Sequence, residues 1–381
     1  MEAKLRRRMG ELAAKNTSQK NERTKLRSFF FFSFFLKVLF LVSFGLFTFA
    51  QQEQKPLTQA EYVKLLYELE KNPRKRDEII NTVRTRGIDF ELTDGIRGLT
   101  ATKSRNDSEL RRVLEEVARK RKNPELRNLP DEKESALILE QTRKATLAAI
   151  DEMPDFIVKQ VIQRSISFAG TNNFQTIDRL VVAVSYRANG YEEYRVLSIN
   201  GVIQDNPRPK QTYEEVGGTS STGEFVSVLA TIFKPESNTQ FRLVDSDSID
   251  GRRSLVYEYS VEKEKARQKI IASGYFYDTA VTGMKGRIWI DRENFRVLRL
   301  ESEATEIPAG FPIRAASRRI DYDWVTIAGE KYLLPVLADV RLTVKQEKDL
   351  LESRNLIRFR EYQKFGTEVR ILEEDLEEKP N

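Results

Sequence analysis

The chain has 381 residues, 40% of them hydrophobic and 10% aromatic, which is enough for two domains with real cores. It contains no cysteine and no histidine, so disulfides, thiolate zinc sites, cysteine nucleophiles and a Ser-His-Asp triad are excluded. Ten of the 64 basic residues but only three of the 58 acidic ones lie in residues 1–50. The remainder is therefore near neutral, and it lacks the net positive face that binding to a nucleic acid requires.

Residues 29–50 form an apolar run that follows a basic stretch and ends in small residues before a polar segment. Basic, apolar and small-residue segments in this order are the three parts of a secretory signal peptide. The sequence therefore predicts an exported protein, periplasmic or extracellular, that is cleaved between Ala50 and Gln51. Because the run is long enough to cross a bilayer, an uncleaved anchor in the inner membrane over residues 29–50 is the alternative.

Residues 51–128 are predicted to form a small helical module. Thr58 and Glu61 fit a capping box for a helix over about 59–70. A second helix is predicted over about 73–86, ending at Gly87, and a third over about 107–121, capped by Asp107. The outer face of the third helix is basic, and we expect it to be solvated rather than to bind a partner. Its basic residues are Arg111, Arg112, Arg119, Lys120 and Arg121.

One segment of this module, Arg86–Thr93 with the sequence RGIDFELT, resembles an element of a short helical module of exported acidobacterial proteins. The glycine-rich turn expected before the last helix of such modules is replaced here by residues 101–106, so the match is incomplete.

Residues 129–381 are predicted to form an antiparallel β domain. An amphipathic helix over about 131–152 ends before Pro154, and the hydrophobic period then changes from 3.6 to 2. Alternation from 332 to 344 predicts a strand about 40 Å long. Asn189-Gly190 predicts a type I′ hairpin turn. Further strands are predicted at about 156–168, 177–186, 191–199, 253–261, 268–277, 285–291, 295–304, 317–327, 354–365 and 368–373.

A short helix is predicted within the β domain, with Ser221 and Glu224 as its capping box. The predicted fold class is therefore α+β. It comprises a large curved antiparallel sheet covered by one long and one short helix, preceded by the all-helical module.

Short sequence blocks of the β domain look like those of an uncharacterised family of secreted acidobacterial proteins. The blocks are Pro154-Asp155-Phe156 with Gln160 and Arg164, Glu193-Tyr194 before Asn200-Gly201, Gly223-Glu224-Phe225, Trp289-Ile290-Asp291 with Arg296-Val297-Leu298-Arg299, Ile320-Asp321-Tyr322-Asp323-Trp324-Val325, Leu333-Leu334-Pro335, and Arg354-Asn355 with Phe359-Arg360 and Tyr362. The resemblance covers about residues 150–366 and implies no activity. Members of that family often carry a cysteine two residues after the phenylalanine of the first block, where this chain has Val158. The strand layout is also similar to that of LolA-like half-barrels, in which a curved sheet holds acyl chains.

Three motifs have some features of a metal, catalytic or phosphate-binding site, but each is better explained as local structure. Residues 245–251 lack the glycine and glutamate positions of a calcium loop, which favours a polar hairpin turn. Asp321 and Asp323 share one side of a strand, which we expect to be a solvated face rather than an acid–base pair. Residues 217–223 precede a helix but lack the lysine of a phosphate-binding loop. The sequence therefore predicts no catalytic residue, metal or cofactor.

The expected function is that of a non-catalytic protein of the cell envelope that binds or carries a hydrophobic ligand, a lipid or a lipoprotein acyl chain, in the curved sheet. The residues expected to line the cavity, with core packing as the alternative, are Phe225, Phe233, Tyr275, Trp289 and Trp324. The alternative function is an envelope scaffold that acts through protein contacts, and an enzyme of unknown reaction is third. The expected partners are thus a hydrophobic ligand or an envelope protein, with no nucleic acid, and a membrane only through the leader.

Overall fold

The computed structural model describes residues 55–188, 190–204, 216, 219–220, 223–272 and 278–366. The predicted leader with its cleavage site at Ala50 and Gln51 lies outside the described residues, as do Tyr275 and the strand predicted at 368–373. Within the described ranges, no helix combines the length and the apolar character needed to span a membrane.

The described chain begins with four helices. They are α1 (Gln59–Lys71), α2 (Arg76–Arg86), α3 (Asp94–Lys103) and α4 (Ser108–Lys122). The predicted capping box of α1 is confirmed, since the Glu61 amide donates to Thr58 Oγ1 at 3.2 Å and the Thr58 amide donates to Glu61 Oε2 at 2.9 Å. Gly87 ends α2 with φ +67°, as predicted. Helix α3 was not predicted, because two glycines and two threonines weaken its helical pattern.

These four helices, which we call the helical module, share a hydrophobic core of their own. Its centre is formed by Tyr62, Leu66, Val83, Leu110 and Val113, all of which are fully buried. The Tyr62 hydroxyl lies 2.9 Å from Thr100 Oγ1, so the one polar atom of that ring is satisfied inside the core.

The described chain after the helical module contains one open, curved antiparallel sheet of twelve strands. The strands are β1 (Phe156–Phe168), β2 (Gln175–Tyr186), β3 (Glu192–Ile199), β4 (Val202–Ile203), β5 (Gln240–Ile249), β6 (Arg252–Val261), β7 (Gln268–Ala272), β8 (Asp278–Asp291), β9 (Val297–Thr305), β10 (Ile313–Ile327), β11 (Glu330–Gln346) and β12 (Asp349–Lys364). Their order is β4-β3-β2-β1-β12-β11-β10-β9-β8-β6-β5, with β7 paired to β8. The predicted α+β fold class, with a large antiparallel sheet, is confirmed.

Two hairpin turns show how the sequence shapes this sheet. Asp250 and Gly251 join β5 to β6 with φ values of +48° and +78°, which confirms the polar hairpin turn predicted there. The turn between β2 and β3 differs from the type I′ prediction. The Arg187 amide donates to the Tyr191 carbonyl at 2.9 Å, which leaves three loop residues rather than two. Asn189 itself lies outside the described residues.

One face of the sheet, the core face, is covered by α5 (Glu132–Asp151) and α6 (Ser227–Phe233). Ile138 of α5 and Phe233 of α6 are buried against strand residues of the main hydrophobic core. The predicted capping box of α6 is wrong, because the helix begins at Ser227 without a side-chain cap, and Glu224 is fully buried. Its other predicted member, Ser221, lies outside the described residues.

The opposite face of the sheet, the outer face, carries the helical module. Glu301 and Asp339 follow core-face residues in their strands, so alternation directs both carboxylates to the outer face. Arg112 of α4 pairs with Glu301, and Ser108, the first residue of α4, lies 3.4 Å from Asp339. The unit from Pro56 onward is therefore built in three layers, with helices on both faces of the sheet.

The contacts of α4 correct the expectation that its basic face is only solvated. Arg119 forms two 3.0 Å hydrogen bonds with Asp247, and Lys120 pairs with Asp245, both in β5. Arg111 and Arg121 instead bond within the module, to Asn106 and to the Asp89 carbonyl. The sequence could not show this, because the pattern of basic residues on a helix face is the same whether the face contacts water or the carboxylates of a neighbouring strand.

Glu192, at the start of β3, places a carboxylate next to the main core. The Tyr194 hydroxyl and the Gly223 amide donate to its Oε2, while its Oε1 is buried without a hydrogen-bond partner among the described residues. Burial, reinforced by the nearby Glu224 carboxylate, raises the pKa of Glu192 to about 7.

This shift makes a prediction about stability and pH. Folding favours the protonated form of Glu192, so the free energy of unfolding should fall as pH rises from its ordinary pKa of 4.5 toward 7, and the loss should persist above 7. We expect Glu192→Gln to be more stable than the wild type at pH 8 and equally stable near pH 4. Urea unfolding at both pH values measures this. A difference that is the same at both values would contradict it.

Candidate functional site

A cleft of about 1020 Å³ lies between the helical module and the outer face of the sheet. Arg76, Arg84 and Arg112 line it from α2 and α4. Strands β5, β6 and β8–β12 supply the opposite wall, which includes Glu301 and Arg319. Because its two walls come from separate layers, the cleft exists only when the module is docked on the sheet.

The side chains around the cleft are mostly charged. Ten basic and seven acidic residues line it, so the cleft carries an excess of positive charge. The basic residues are Arg76, Arg84, Arg112, Arg242, Lys285, Arg287, Arg314, Arg318, Arg319 and Arg341, and the acidic ones are Asp77, Glu109, Glu258, Glu301, Glu303, Asp339 and Glu352.

Ion pairs fix the module wall of the cleft. Arg76 donates from Nε to Asp107 at 2.6 Å and from Nη2 to Glu109 at 2.7 Å. Arg84 lies 3.5 Å from the other oxygen of Glu109. Burial alone would raise the pKa of Glu109, but the guanidinium groups of Arg76, Arg112 and Arg84 outweigh it and lower that pKa to about 2. Glu109 is therefore ionised at any physiological pH.

Two arginines of the cleft have N–H groups that donate no hydrogen bond among the described residues. The Nε atoms of Arg84 and Arg319 are buried and make no hydrogen bond within the described part of the chain. Arg319 Nε lies 3.3 Å from Asp321 Oδ2, which is close enough for an ion pair but not aligned for a hydrogen bond. Burial and the like charge of Arg112 lower the pKa of Arg319. The sheet wall of the cleft thus holds a cation that its neighbours only partly compensate.

The aromatic residues predicted to line a cavity lie elsewhere. Phe225 and Phe233 are buried in the main core, where their rings lie 5.3 Å from Phe156 and 5.8 Å from Phe241, respectively. Trp289 is buried on the outer face and donates from Nε1 to Asp247 at 3.3 Å. Trp324 is 39% exposed. None of these four lines the 1020 Å³ cleft, and the fifth, Tyr275, is outside the described residues.

The carboxylates of the acidic motifs noted in the sequence form ion pairs with arginine and lysine side chains. Asp245 and Asp247 pair with α4, as described above, and not with one another. Asp321 pairs with Arg299 and Arg319, which corrects the expectation of a merely solvated face there. Asp323 pairs with Arg252 at 2.8 Å. Among the described residues there is no group of three or more acidic side chains placed to hold a metal ion.

Several of the blocks that carry the family resemblance meet in the core. Phe156, Phe225 and Phe359 form edge-to-face contacts at 5.3 and 5.5 Å, and Tyr362 contacts Phe156 at 5.5 Å. Since these rings come from β1, β12 and the turn before α6, the blocks specify how α6 packs on the sheet.

The cleft arginines themselves were not identified from the sequence as site residues. One signal was available, because Ser108, Arg112, Glu116 and Arg119 repeat at helical spacing on one side of α4. That spacing marks a polar face, but it does not reveal the carboxylates that lie opposite.

No protein-family model and no curated protein matches the chain. Among solved structures, a DUF1329 family protein from Desulfovibrio piger is similar to 60% of this chain and 95% of its own, with 11% identity and a TM-score of 0.27. MucB in complex with MucA(peri) is similar over 58% of this chain and 94% of that chain, with 11% identity and a TM-score of 0.19. The MucA/MucB complex of Pseudomonas aeruginosa gives 10% identity over the same shares, with a TM-score of 0.17.

Proposed function

We propose that this protein binds a ligand outside the cytoplasm, in the cleft between the helical module and the sheet. The observation that carries the proposal is the cleft itself. It measures about 1020 Å³, it takes walls from both layers, and it is at the upper end of the size range of small-molecule sites. The leader-like segment over residues 29–50 supports export.

The cleft favours binding over catalysis. A general acid or base works best with a pKa near the working pH, but the pKa of Glu109 is lowered to about 2. Glu301 and Asp339 are likewise paired, with Arg112 and Arg354. The chain also has neither histidine nor cysteine to act as a base or a nucleophile.

The proposal locates the ligand in the cleft rather than on the core face, where an acyl chain was expected from the sequence. Phe156, Phe225 and Phe359 fill the core face under α6 with contacting rings, so an acyl chain there would have to displace them. The charged lining of the cleft favours a polar ligand instead.

A pair of variants on one helix tests this proposal. Asn81 is exposed on α2 and lines the cleft, whereas Thr85, one turn later, is exposed and does not. We expect native mass spectrometry of the protein from its cell envelope to show a co-purifying small molecule with the wild type and with Thr85→Trp. The same species should be lost from Asn81→Trp, whose indole would fill the cleft, with no change in melting temperature.

Two outcomes would contradict the proposal. One is a clean apo mass for the wild type, which would favour an envelope protein that acts through protein contacts. The other is retention of the small molecule by Asn81→Trp, which would locate the bound species outside the cleft.

A further inference from the structure

We infer that the group recognised in the cleft is a phosphate, received between Arg84 and Arg112 of the helical module and Arg319 of the sheet. The inference rests on the proposed function, because it names the chemistry of a ligand for the same cleft. The phosphate could belong to a lipid headgroup or to a free phosphate ester, since the recognised group is the same in both.

The unused donors carry the first step. Nearly all buried N–H groups in proteins have an acceptor, because a buried donor without one loses its hydrogen bond to water and gains none in return. Arg84 buries an Nε with no hydrogen bond among the described residues, and Arg319 buries one whose contact with Asp321 Oδ2, at 3.3 Å, is not aligned for a hydrogen bond. One of them is in α2 and the other in β10, on opposite walls of the cleft. An oxyanion bound between the walls would supply both acceptors.

The distribution of charge carries the second step. The carboxylates near these arginines are shared, since Glu109 serves both Arg76 and Arg84, and Asp321 serves both Arg299 and Arg319. Arg112 has Glu301 as its acidic partner and adds its own charge to the surroundings of Arg319. An anion would offset the remaining positive charge and relieve the repulsion between Arg112 and Arg319.

The shape of the arginine set carries the third step. A guanidinium group presents a planar fork of donors that matches two oxygens of a phosphate or a carboxylate. A carboxylate has two oxygens and one charge, whereas a phosphate monoester has three terminal oxygens and nearly two charges. Three arginines on two walls therefore favour the phosphate.

Titration calorimetry on the purified full-length protein tests this inference. The soluble probe is glycerol 3-phosphate, with succinate and glycerol as the carboxylate and neutral controls at equal ionic strength. The lipid probe is vesicles of phosphatidic acid, whose headgroup is a phosphate monoester, with phosphatidylcholine vesicles as the control. We expect glycerol 3-phosphate to bind at least tenfold more tightly than succinate. Phosphatidic acid binding without glycerol 3-phosphate binding would identify a lipid headgroup as the source of the phosphate, and would also support the inference.

Matched variants locate the contact. Arg319→Gln should weaken phosphate binding by about 10- to 100-fold, because it removes a charge-assisted contact. Arg97→Gln should change it by less than twofold, since Arg97 does not line the cleft, and its side chain is 42% exposed and pairs with Glu115. If Arg319→Gln fails to fold, the melting temperature of the wild type serves instead. Phosphate should raise it more than chloride does at equal ionic strength.

Equal affinity for glycerol 3-phosphate and succinate, or phosphate binding that is unchanged in Arg319→Gln, would overturn the inference. The proposed function would survive this result if a small molecule from the cell envelope still co-purified with the wild type and was lost from Asn81→Trp. If neither the phosphate probes nor a cell-derived molecule bound, both proposals would fail.

Discussion

Replacing Asp339 with alanine is expected to lower the free energy of unfolding by about 3–5 kcal/mol. Asp339 is only 6% exposed, and it accepts hydrogen bonds at 2.9 and 2.8 Å from the Nε and Nη2 atoms of Arg354. Arg341 lies 3.4 Å away, and the hydroxyl of Ser108 lies at the same distance. Removing the carboxylate would leave two largely buried arginines without their shared partner.

The same carboxylate should link docking of the module to pH. Burial alone would raise the pKa of Asp339, but Arg341 and Arg354 outweigh it and hold that pKa well below its usual range. Its contribution to stability should therefore be complete above the unfolded pKa of about 3.9 and be lost as pH falls below it.

Urea unfolding of Asp339→Ala at pH 7 measures the effect, with Glu115→Ala as the control. Glu115 pairs with Arg97 at 2.7 Å, but both side chains are about 40% exposed, so we expect a loss below about 1 kcal/mol. Similar losses in the two variants would show that the Asp339 cluster does not anchor α4 to the sheet.

Replacing Gly286 with alanine is expected to destabilise the sheet by about 3 kcal/mol or more. Gly286 pairs with Ser302 in β9 and with Tyr259 in β6. A Cβ atom at this position would lie 1.9 Å from the carbonyl oxygen of Glu301, a backbone atom that cannot move without separating β8 from β9. That carbonyl also accepts a hydrogen bond from the Tyr259 hydroxyl at 3.0 Å, which would be strained as well.

Gly98→Ala is the matched control, with the opposite sign expected. Gly98 lies inside α3, and a Cβ there would meet nothing within 4 Å. The change should therefore raise stability by about 0.5–1 kcal/mol through helix propensity alone. Chemical denaturation of both variants measures whether the free energy of unfolding falls in Gly286→Ala and rises in Gly98→Ala. A neutral Gly286→Ala variant would mean that β8 and β9 do not approach as closely as described.

The elements that the sequence predicted well are those with strong periodicity or an explicit cap. Helix α1 has its Thr58–Glu61 capping box, and the long strand predicted at 332–344 is confirmed in β11. Strand β5 was missed because its second half, the polar run from Asp245 to Ser248, shows no hydrophobic alternation. Its carboxylates face the helical module rather than solvent, and no pattern in the local sequence indicates that contact.

The candidate site could not be predicted from the sequence for a related reason. Arg84, Arg112 and Arg319 belong to three elements in two layers, and only docking of the module brings them to one cleft. In the sequence each is one basic residue among several, and nothing relates it to the other two. The aromatic residues that did attract attention, such as Phe225 and Trp289, are conspicuous because they are large, and they are large because they fill the core.

Hydrogen–deuterium exchange tests the central claim, ligand binding in the cleft, most directly. The wild type would be compared with and without a small-molecule extract of its cell envelope. The account predicts slower exchange in α2 and α4 on one wall of the cleft and in strands β8–β10 on the other. Slower exchange in α5 and α6, with α2 and α4 unchanged, would locate the ligand on the core face and contradict it.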